Sequence, residues 1–273
     1  MSPGEFLTSV TGVLALMAAI AAIEFFVPLL PRGADAHGRR VANFSLTLTA
    51  FLINWASTSA AAMLTLAEGP RILTRAGLPP AVEALVSIAA LDLCFGYLAH
   101  VTMHMLPALW RIHVVHHSDP FVDVTTAYRQ HPLESAWRSL FVIVPVWVLG
   151  VPPAALVVYR LLSAINALLE HGNIRVWPRV DRAVSLVWVT PNMHKVHHSR
   201  VKRETNSNYG NLFSIFDRLF GTFTPLRTAP SIDYGLDNTD RDAVRSLPRL
   251  LAMQVKSPTP SMTTGDRTAR DQV

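Results

Sequence analysis

The chain has 273 residues, half of them hydrophobic, and a formal net charge of +5. That length holds one large domain or two small ones, and a mean hydropathy of +0.29 is high for a soluble domain. The basic residues are scattered along the edges of apolar segments with no aromatic-interleaved stripe, which excludes nucleic acid as a partner. The single cysteine, Cys94, excludes an internal disulfide, an iron–sulfur cluster and a cysteine-based zinc site, and reads as a small buried hydrophobe.

Three apolar segments come first. Residues 6–30 carry one charge, Glu24; residues 41–66 carry none; residues 84–109 carry Asp92 besides His100 and His104. Each exceeds the ~20 apolar residues that cross a bilayer. The first lacks a basic start and a small-residue cleavage site, so it predicts a span and not a cleaved leader. Arg32, Arg39 and Arg40 fall in the loop between the first two segments, and the histidine-bearing stretches are also rich in arginine. The positive-inside rule places that loop and the histidines in the cytoplasm, with the N-terminus outside.

Residues 139–149 are too short to cross alone, and Pro152–Pro153 breaks the helix before residues 154–169, which carry Arg160. Two arrangements fit, a pair of tilted spans or a re-entrant hairpin, and both bring His171 back to the side of the other histidines. Residues 172–227 then form a cytoplasmic cap. Within it, the apolar stripe at 212–220 predicts a core helix, with a helix lying on the membrane surface as the alternative; Gly221 stops it. Residues 240–255 predict an amphipathic helix capped by Asp240 and kinked by Pro248, and residues 256–273 predict disorder. The expected fold is an all-α integral-membrane helical bundle with a cytoplasmic histidine-rich di-metal cap. Its parts are N-terminal membrane helices (1–80), a catalytic domain (81–227), and a C-terminal helix and tail (228–273).

Ten of the eleven histidines lie between residues 100 and 198, and eight of them cluster. His100 and His104 form an HxxxH pair; His113, His116 and His117 form an HxxHH triplet, which His194, His197 and His198 repeat. Residues three and four apart share a helix face, so each cluster can aim several imidazoles at one point. Burying so many polar rings without a partner is costly, and coordination removes the cost. A structural zinc site closes with four ligands, and no HExxH is present; eight imidazoles suit two metal ions. Two Fe(II) ions in a histidine-rich shell point to O2 chemistry on an unactivated C–H bond, with two electrons supplied from outside. His37, in the first loop, is a solvated residue.

The order of motifs carries a family resemblance. It runs from His100–xxx–His104, Pro107–Ala108–Leu109–Trp110 and His113–xx–His116–His117–Ser118, through Thr125–Thr126, Arg129–Gln130–His131–Pro132–Leu133–Glu134 and His171–Gly172–Asn173. It ends with His194–xx–His197–His198, Asn208–Tyr209–Gly210 and Phe216–Asp217–Arg218–Leu219–Phe220–Gly221–Thr222. Over about residues 88–225 the chain resembles the fatty acid hydroxylase / sterol desaturase superfamily of integral-membrane di-iron enzymes. Val101 departs from it, standing where many members place Arg.

The resemblance implies that the eight clustered histidines are catalytic di-metal ligands, and that His131 and His171 complete or support the site. Asn173 and Asn192 are expected to hydrogen-bond and orient ligand rings. Asp92 and Tyr97 match family positions on the third helix, where they contact a ligand or substrate or serve as structural polar contacts.

The expected activity is hydroxylation or desaturation of a sterol-like or fatty-acyl lipid using O2. Neither a GxGxxG after a strand nor a CxxCH is present, so no nicotinamide, flavin or heme site is expected. Electrons then come from a separate ferredoxin or cytochrome b5-like donor. The rivals are a metal-binding membrane transporter or sensor, which needs ligands facing a path near the bilayer midplane, and a heme-binding electron carrier, which needs one or two axial histidines. The apolar residues beside the ligands predict a lipid entering between the third helix and the helix at 154–169.

Overall fold

A computed structural model describes residues 3–30, 36–65, 69–225, 232–237 and 242–253. Among them the chain is helical. Its only extended pairings are isolated bridges: Pro28 with Ile174, Trp188 with Phe213, and Ser199 with Tyr234. The long helices are α1 (Pro3–Phe26), α2 (Ala36–Leu64), α4 (Pro80–Leu91), α7 (Pro132–Leu149) and α8 (Pro153–His171), with the short α3 (Ile72–Arg75) between α2 and α4. The ligand-bearing pieces are α5 (Ala99–Met105), α6 (Pro107–His117) and α10 (Pro191–His197). Alongside them lie α9 (Pro178–Val184), α11 (Lys202–Thr205), α12 (Ile215–Leu219) and α13 (Leu247–Leu251).

Proline sets most of the helix starts. Pro80, Pro107, Pro132, Pro153, Pro178 and Pro191 each stand in a first turn, where the missing N–H has no intrahelical partner to lose. The Pro152–Pro153 pair thus opens α8, while Gly150, at φ 73°, ends α7. Because α7 begins at Pro132, seven residues before the apolar run at 139, it is long enough to cross.

Among the described residues, four helical stretches are long and apolar enough to span a membrane: Leu7–Phe26, Pro80–Met105, Pro132–Leu149 and Pro153–His171. The expected span at 41–66 is not among them, because α2 beyond Arg40 is free of charge but not of polarity. Ser45, Thr47 and Thr49 return their hydroxyls to carbonyls four residues back, while Asn43 is fully buried. Two further expectations change. Arg39 and Arg40 lie in the first turns of α2 and not in a loop, and Arg39 is buried between Asp119 and Asp123. Cys94 is only half-buried.

The core has two main seams. In one, Leu91, Val142, Val146, Ala155, Leu156 and Tyr159 join α4, α7 and α8. In the other, Met17, Ile20, Ala50 and Phe51 of α1 and α2 meet Tyr128 and Leu168. Beyond these, α2 packs most extensively along α7. A buried polar knot fastens α2 to the chain after α6. Arg39 pairs with Asp119 at 2.9 Å, and Asn43 donates to the same carboxylate at 3.1 Å. Arg129 donates to Asn43, to Ser118 and to the Val115 carbonyl. Burial alone would raise the Asp119 carboxyl, but Arg39 and Arg129 hold it below the ordinary carboxylate range.

The third span is not uniform. Between α4 and α5 the backbone widens into a π-helical segment, Asp92–Leu98, a feature that often marks function. Asp92, fully buried, accepts the N–H groups of Leu212 at 3.2 Å and Phe213 at 2.9 Å, stitching the span to the cap. Leu106 then turns extended and Pro107 restarts the helix, giving the bend expected between the first two histidine clusters.

In the cap, the stripe at 212–220 divides. Leu212 is core, α12 covers only Ile215–Leu219, and Leu219 and Phe220 are exposed. The expected C-terminal helix shortens to a 3-10 turn at Ala243–Arg245 and α13, which Pro248 helps to start and does not kink. Arg32, Asp240 and residues 256–273 lie outside the described residues.

A Cβ on Gly96 would stand 2.5 Å from Asp92 Oδ1 and 3.1 Å from Asn211 Cβ. Gly96→Ala is therefore expected to destabilise the protein by about 1–3 kcal/mol through overpacking, read as a lowered Tm in detergent. Gly12→Ala, with open space around the added methyl, is the comparison and leaves Tm within error.

Candidate metal centre

Nine histidines converge, all of them buried. They sort into two groups whose ligand atoms lie within 4.8 Å of one another: His100, His104, His113, His117 and His197 in one, His116, His171, His194 and His198 in the other. Each HxxHH triplet is split. His113 and His117, a turn apart on α6, face the first group while His116 faces the second. His194 and His198 face the second while His197 crosses to the first. The two groups abut, with the rings of His117 and His198 stacked at 4.8 Å and those of His113 and His116 at 5.3 Å. The HxxxH pair contributes both of its members to the first group, and His171, at the end of α8, completes the second.

The ring nitrogens test whether a metal fits. In the second group, Nε2 of His171 is 3.0 Å from that of His194, 3.2 Å from that of His198 and 3.2 Å from that of His116, and His194 and His198 are 3.1 Å apart. In the first, Nε2 of His100 and His113 are 3.1 Å apart, and Nε2 of His104, His117 and His197 are buried without a hydrogen-bond partner among the described residues. Nitrogens held about 2.0–2.1 Å from one cation lie about 2.9–3.4 Å from each other in octahedral or tetrahedral arrangements. The spacing and the orphaned nitrogens match an all-imidazole shell for two transition-metal ions.

The outer nitrogens fix the rings. Nδ1 of His100 donates to the Tyr209 carbonyl at 2.8 Å, that of His197 to Ser207 at 2.7 Å, that of His171 to Ala167 at 2.7 Å, and that of His104 to Asn206 Oδ1 at 3.2 Å. Glu134 Oε1 lies 3.0 Å from His113 Nδ1 and is held by Arg138 at 3.2 Å. Glu170 Oε1 lies 3.8 Å from both His171 Nδ1 and His194 Nε2. With the proton on Nδ1, Nε2 of His100, His197, His171 and His104 presents a bare lone pair. Burial, then the neighbouring rings, hold His113, His116, His117, His194 and His198 well below the usual imidazole range, and burial pulls His197 down to about 3. All six are neutral, the ligating form, at physiological pH.

The loop that offers the Ser207 and Tyr209 carbonyls is itself built by sequence. Asn208 adopts φ 54° and spans the Met193 carbonyl and the Thr224 backbone. Asp217 accepts the N–H groups of Tyr209 and Gly210, each at 2.8 Å, and burial pushes its carboxyl up to about 6. A Cβ at Gly210 would meet the Phe213 carbonyl at 2.9 Å. The Asn-Tyr-Gly and Phe-Asp-Arg motifs thus act as one clamp on the ligand rings.

Several expected residues sit elsewhere. His131 joins neither group; half-buried, it caps α7 by accepting the Leu133 N–H at 3.2 Å. Asn173 bonds Leu30 and Glu24, tying the end of α1 to the end of α8, and Asn192 bonds Asp181; neither orients a ligand ring. Asp92 and Tyr97 are structural contacts, the latter pairing with Thr222 at 2.9 Å and stacking on Phe220. His37 is exposed. Glu134 and Glu170 were not singled out as site residues. Their traces were Glu134's place in the Arg129–Glu134 motif and its i,i+4 pairing with Arg138, and a glutamate adjoining His171 in an apolar run.

Two adjoining spaces lie beside the centre, sharing Asn54, Tyr128, Arg160 and Ala164. A wide cavity of about 470 Å³ lies between α1, α2 and α8, with Val13, Leu16, Phe51, Leu161 and Leu168 among its walls. A narrow throat of about 70 Å³ leads on to His116, His171 and His194. The seam expected to admit lipid, between Pro80–Met105 and α8, is packed around Leu91, Leu156 and Tyr159, but farther along it Phe95, Gly96 and His100 face Arg160, Ser163 and Ala164 across the throat.

The fatty acid hydroxylase family profile matches residues 84–222, half of the chain, and the chain belongs to that family. It is similar to an ornithine lipid hydroxylase of Rhizobium tropici, 32% identical over 161 residues that cover 58% of this chain and 46% of the relative. It is also similar to an alkylglycerol monooxygenase of Caenorhabditis elegans, 32% identical over 142 residues covering 51% and 27%. To the human alkylglycerol monooxygenase it is 30% identical over 138 residues covering 50% and 29%. The match spans less than half the length of each relative. No solved structure matches.

His197→Ala is expected to lower bound metal and abolish turnover, because one member of a coordinated unit is lost, while His37→Ala changes neither; metal analysis of the two purified proteins checks this. Glu134→Gln keeps the shape beside His113 but removes the charge that orients it. It should weaken metal affinity about 10–100-fold, measured by competition with a chelator.

Proposed function

We propose that this chain is a membrane-bound non-heme di-iron oxygenase that hydroxylates a lipid. The observation that carries the reading is the pair of abutting all-histidine groups, one of five rings and one of four, inside a fatty acid hydroxylase domain. The names of the relatives, a hydroxylase and monooxygenases, favour hydroxylation over desaturation. The four candidate spans favour a substrate drawn from the bilayer.

His100, His104, His113, His117 and His197 would hold one iron, and His116, His171, His194 and His198 the other. When bound, the irons supply O2-dependent oxidation of a C–H bond: one oxygen atom enters the bond, the other leaves as water, and two electrons and two protons come from outside. The protein's own share is positional. The outer hydrogen bonds keep the rings of His100, His104, His171 and His197 aimed, the packed seams exclude water, and the cavity and throat align the substrate. The chain has no nicotinamide, flavin or heme motif, so a ferredoxin or cytochrome b5-like protein donates the electrons. The basic surface around the cap, including Arg111, Arg200, Lys202 and Arg203, favours the cytoplasmic side for the centre.

Untargeted lipid mass spectrometry of cells with and without the gene is expected to show a lipid gaining 16 mass units; no change in any lipid under iron- and donor-replete conditions overturns the reading. Ala164 lines both cavity and throat, so Ala164→Trp should slow that turnover at least tenfold while leaving iron content unchanged. For sidedness, Val201→Cys in a Cys94→Ala background is expected to be labelled only from the cytoplasm, Val201 being well exposed.

A further inference from the structure

The two spaces that lead to the histidines differ in chemistry. The wide cavity is walled by aliphatic and aromatic side chains, and its flank is open, with Val157 and Leu161 61% and 55% exposed. The throat is mixed, with Gln130, Arg138, Ser163, Glu170 and Asn211 and the ligand rings set among Phe95, Ala127 and Ala167. Asn54, Tyr128, Arg160 and Ala164 belong to both walls. The junction is therefore polar on a route that begins apolar.

Arg160 is the unusual member of that junction. It sits in the middle of a candidate span, yet no described carboxylate forms an ion pair with it. Its guanidinium donates to Asn54 Oδ1 at 2.7 Å and lies 5.0 Å above the ring of Phe95. An amide and a ring face are weak compensation for an intramembrane cation with five N–H donors. A second guanidinium, that of Arg138, lies 5.7 Å from the same ring.

An alkyl chain pushed into this throat would strip Arg160, Arg138, Glu170 and Asn211 of polar surroundings and gain little, since burying polar groups against hydrocarbon is unfavourable. An oxygen-bearing headgroup would give those donors acceptors, while its chain stayed in the cavity whose walls suit it. We infer that the lipid enters polar end first, with Arg160 and Asn54 receiving an oxygen-bearing headgroup and the chain held between α1, α2 and α8. The oxidised carbon is then at or beside the headgroup, not on the distal chain. This rests on the oxygenase reading for its chemistry but not for its geometry.

The test uses the full chain in lipid nanodiscs and a hexadecylglycerol analogue with a diazirine at the chain terminus, crosslinked by light and mapped by peptide mass spectrometry. Labelling is expected on Val13, Leu16, Phe51 or Leu161. Arg160→Ala should cut that labelling at sub-saturating probe by about 10- to 100-fold, the loss of a hydrogen bond to a charged group. Arg160→Lys should keep most of it, and bound iron should be unchanged in both. Arg160→Gln, still able to bond Asn54, serves the same purpose if the alanine variant fails to fold. Labelling on Ala167 or Gly210 in the throat, undiminished labelling without the guanidinium, or no labelling at either place overturns the inference. Crosslinking needs no turnover, so the two readings fail separately. A protein that holds the tail in the cavity but oxidises no lipid sinks the oxygenase, and one that oxidises lipid with the tail in the throat sinks only the orientation.

Discussion

Nine neutral imidazoles packed with their lone pairs converging is an arrangement a helical bundle does not adopt for its own stability. Ring nitrogens 3.0–3.2 Å apart are crowded acceptors, and each lone pair buried away from water carries a desolvation cost. The rest of the domain makes sense as the scaffold that holds these rings against that cost until a cation offsets it. Asp92 ties the span to the cap, Asp217 shapes the loop that steadies His100 and His197, and Glu134 steadies His113. The Arg39–Asp119 knot locks α2 beneath the turn that follows α6. Buried carboxylates recur because each provides the fixed acceptor that a ring N–H or a backbone amide requires.

The histidines themselves were legible because helical spacing is a local property: positions three and four apart must share a face. How they divide was not. The assignment of His116 and His197 to the opposite group from their triplet neighbours depends on how α6 and α10 are rotated against each other, which no single-helix pattern encodes. His131 shows the opposite failure. A histidine inside a matching motif is spent on capping α7, since a residue before Pro132 is well placed to accept the Leu133 N–H.

The membrane reading is clearest where apolar length and absence of polarity coincide, as in Leu7–Phe26, and weakest at α2, where charge was counted but amides and hydroxyls were not. Asn43 and Asn54 of that helix serve the polar knot and the Arg160 contact, so its polarity is part of its role. The route for lipid was legible only in part, for a related reason. Leu91, Leu156 and Tyr159 read equally well as channel walls or as packing, and only the assembled fold shows them meeting as a core. The π-helical segment left no trace in the sequence beyond Gly96, whose lack of a side chain admits the Asp92 carboxylate.

The cavity flanked by Val157 and Leu161 opens sideways, on helices of membrane-spanning length. A site with such a mouth draws on a two-dimensional reservoir, and its occupancy follows the mole fraction of substrate among the surrounding lipids and not its concentration in the aqueous volume. Diluting the vesicles in buffer would leave saturation untouched, whereas enriching the bilayer with inert lipid would lower it. The composition of the host membrane would thereby set how fully the site is occupied.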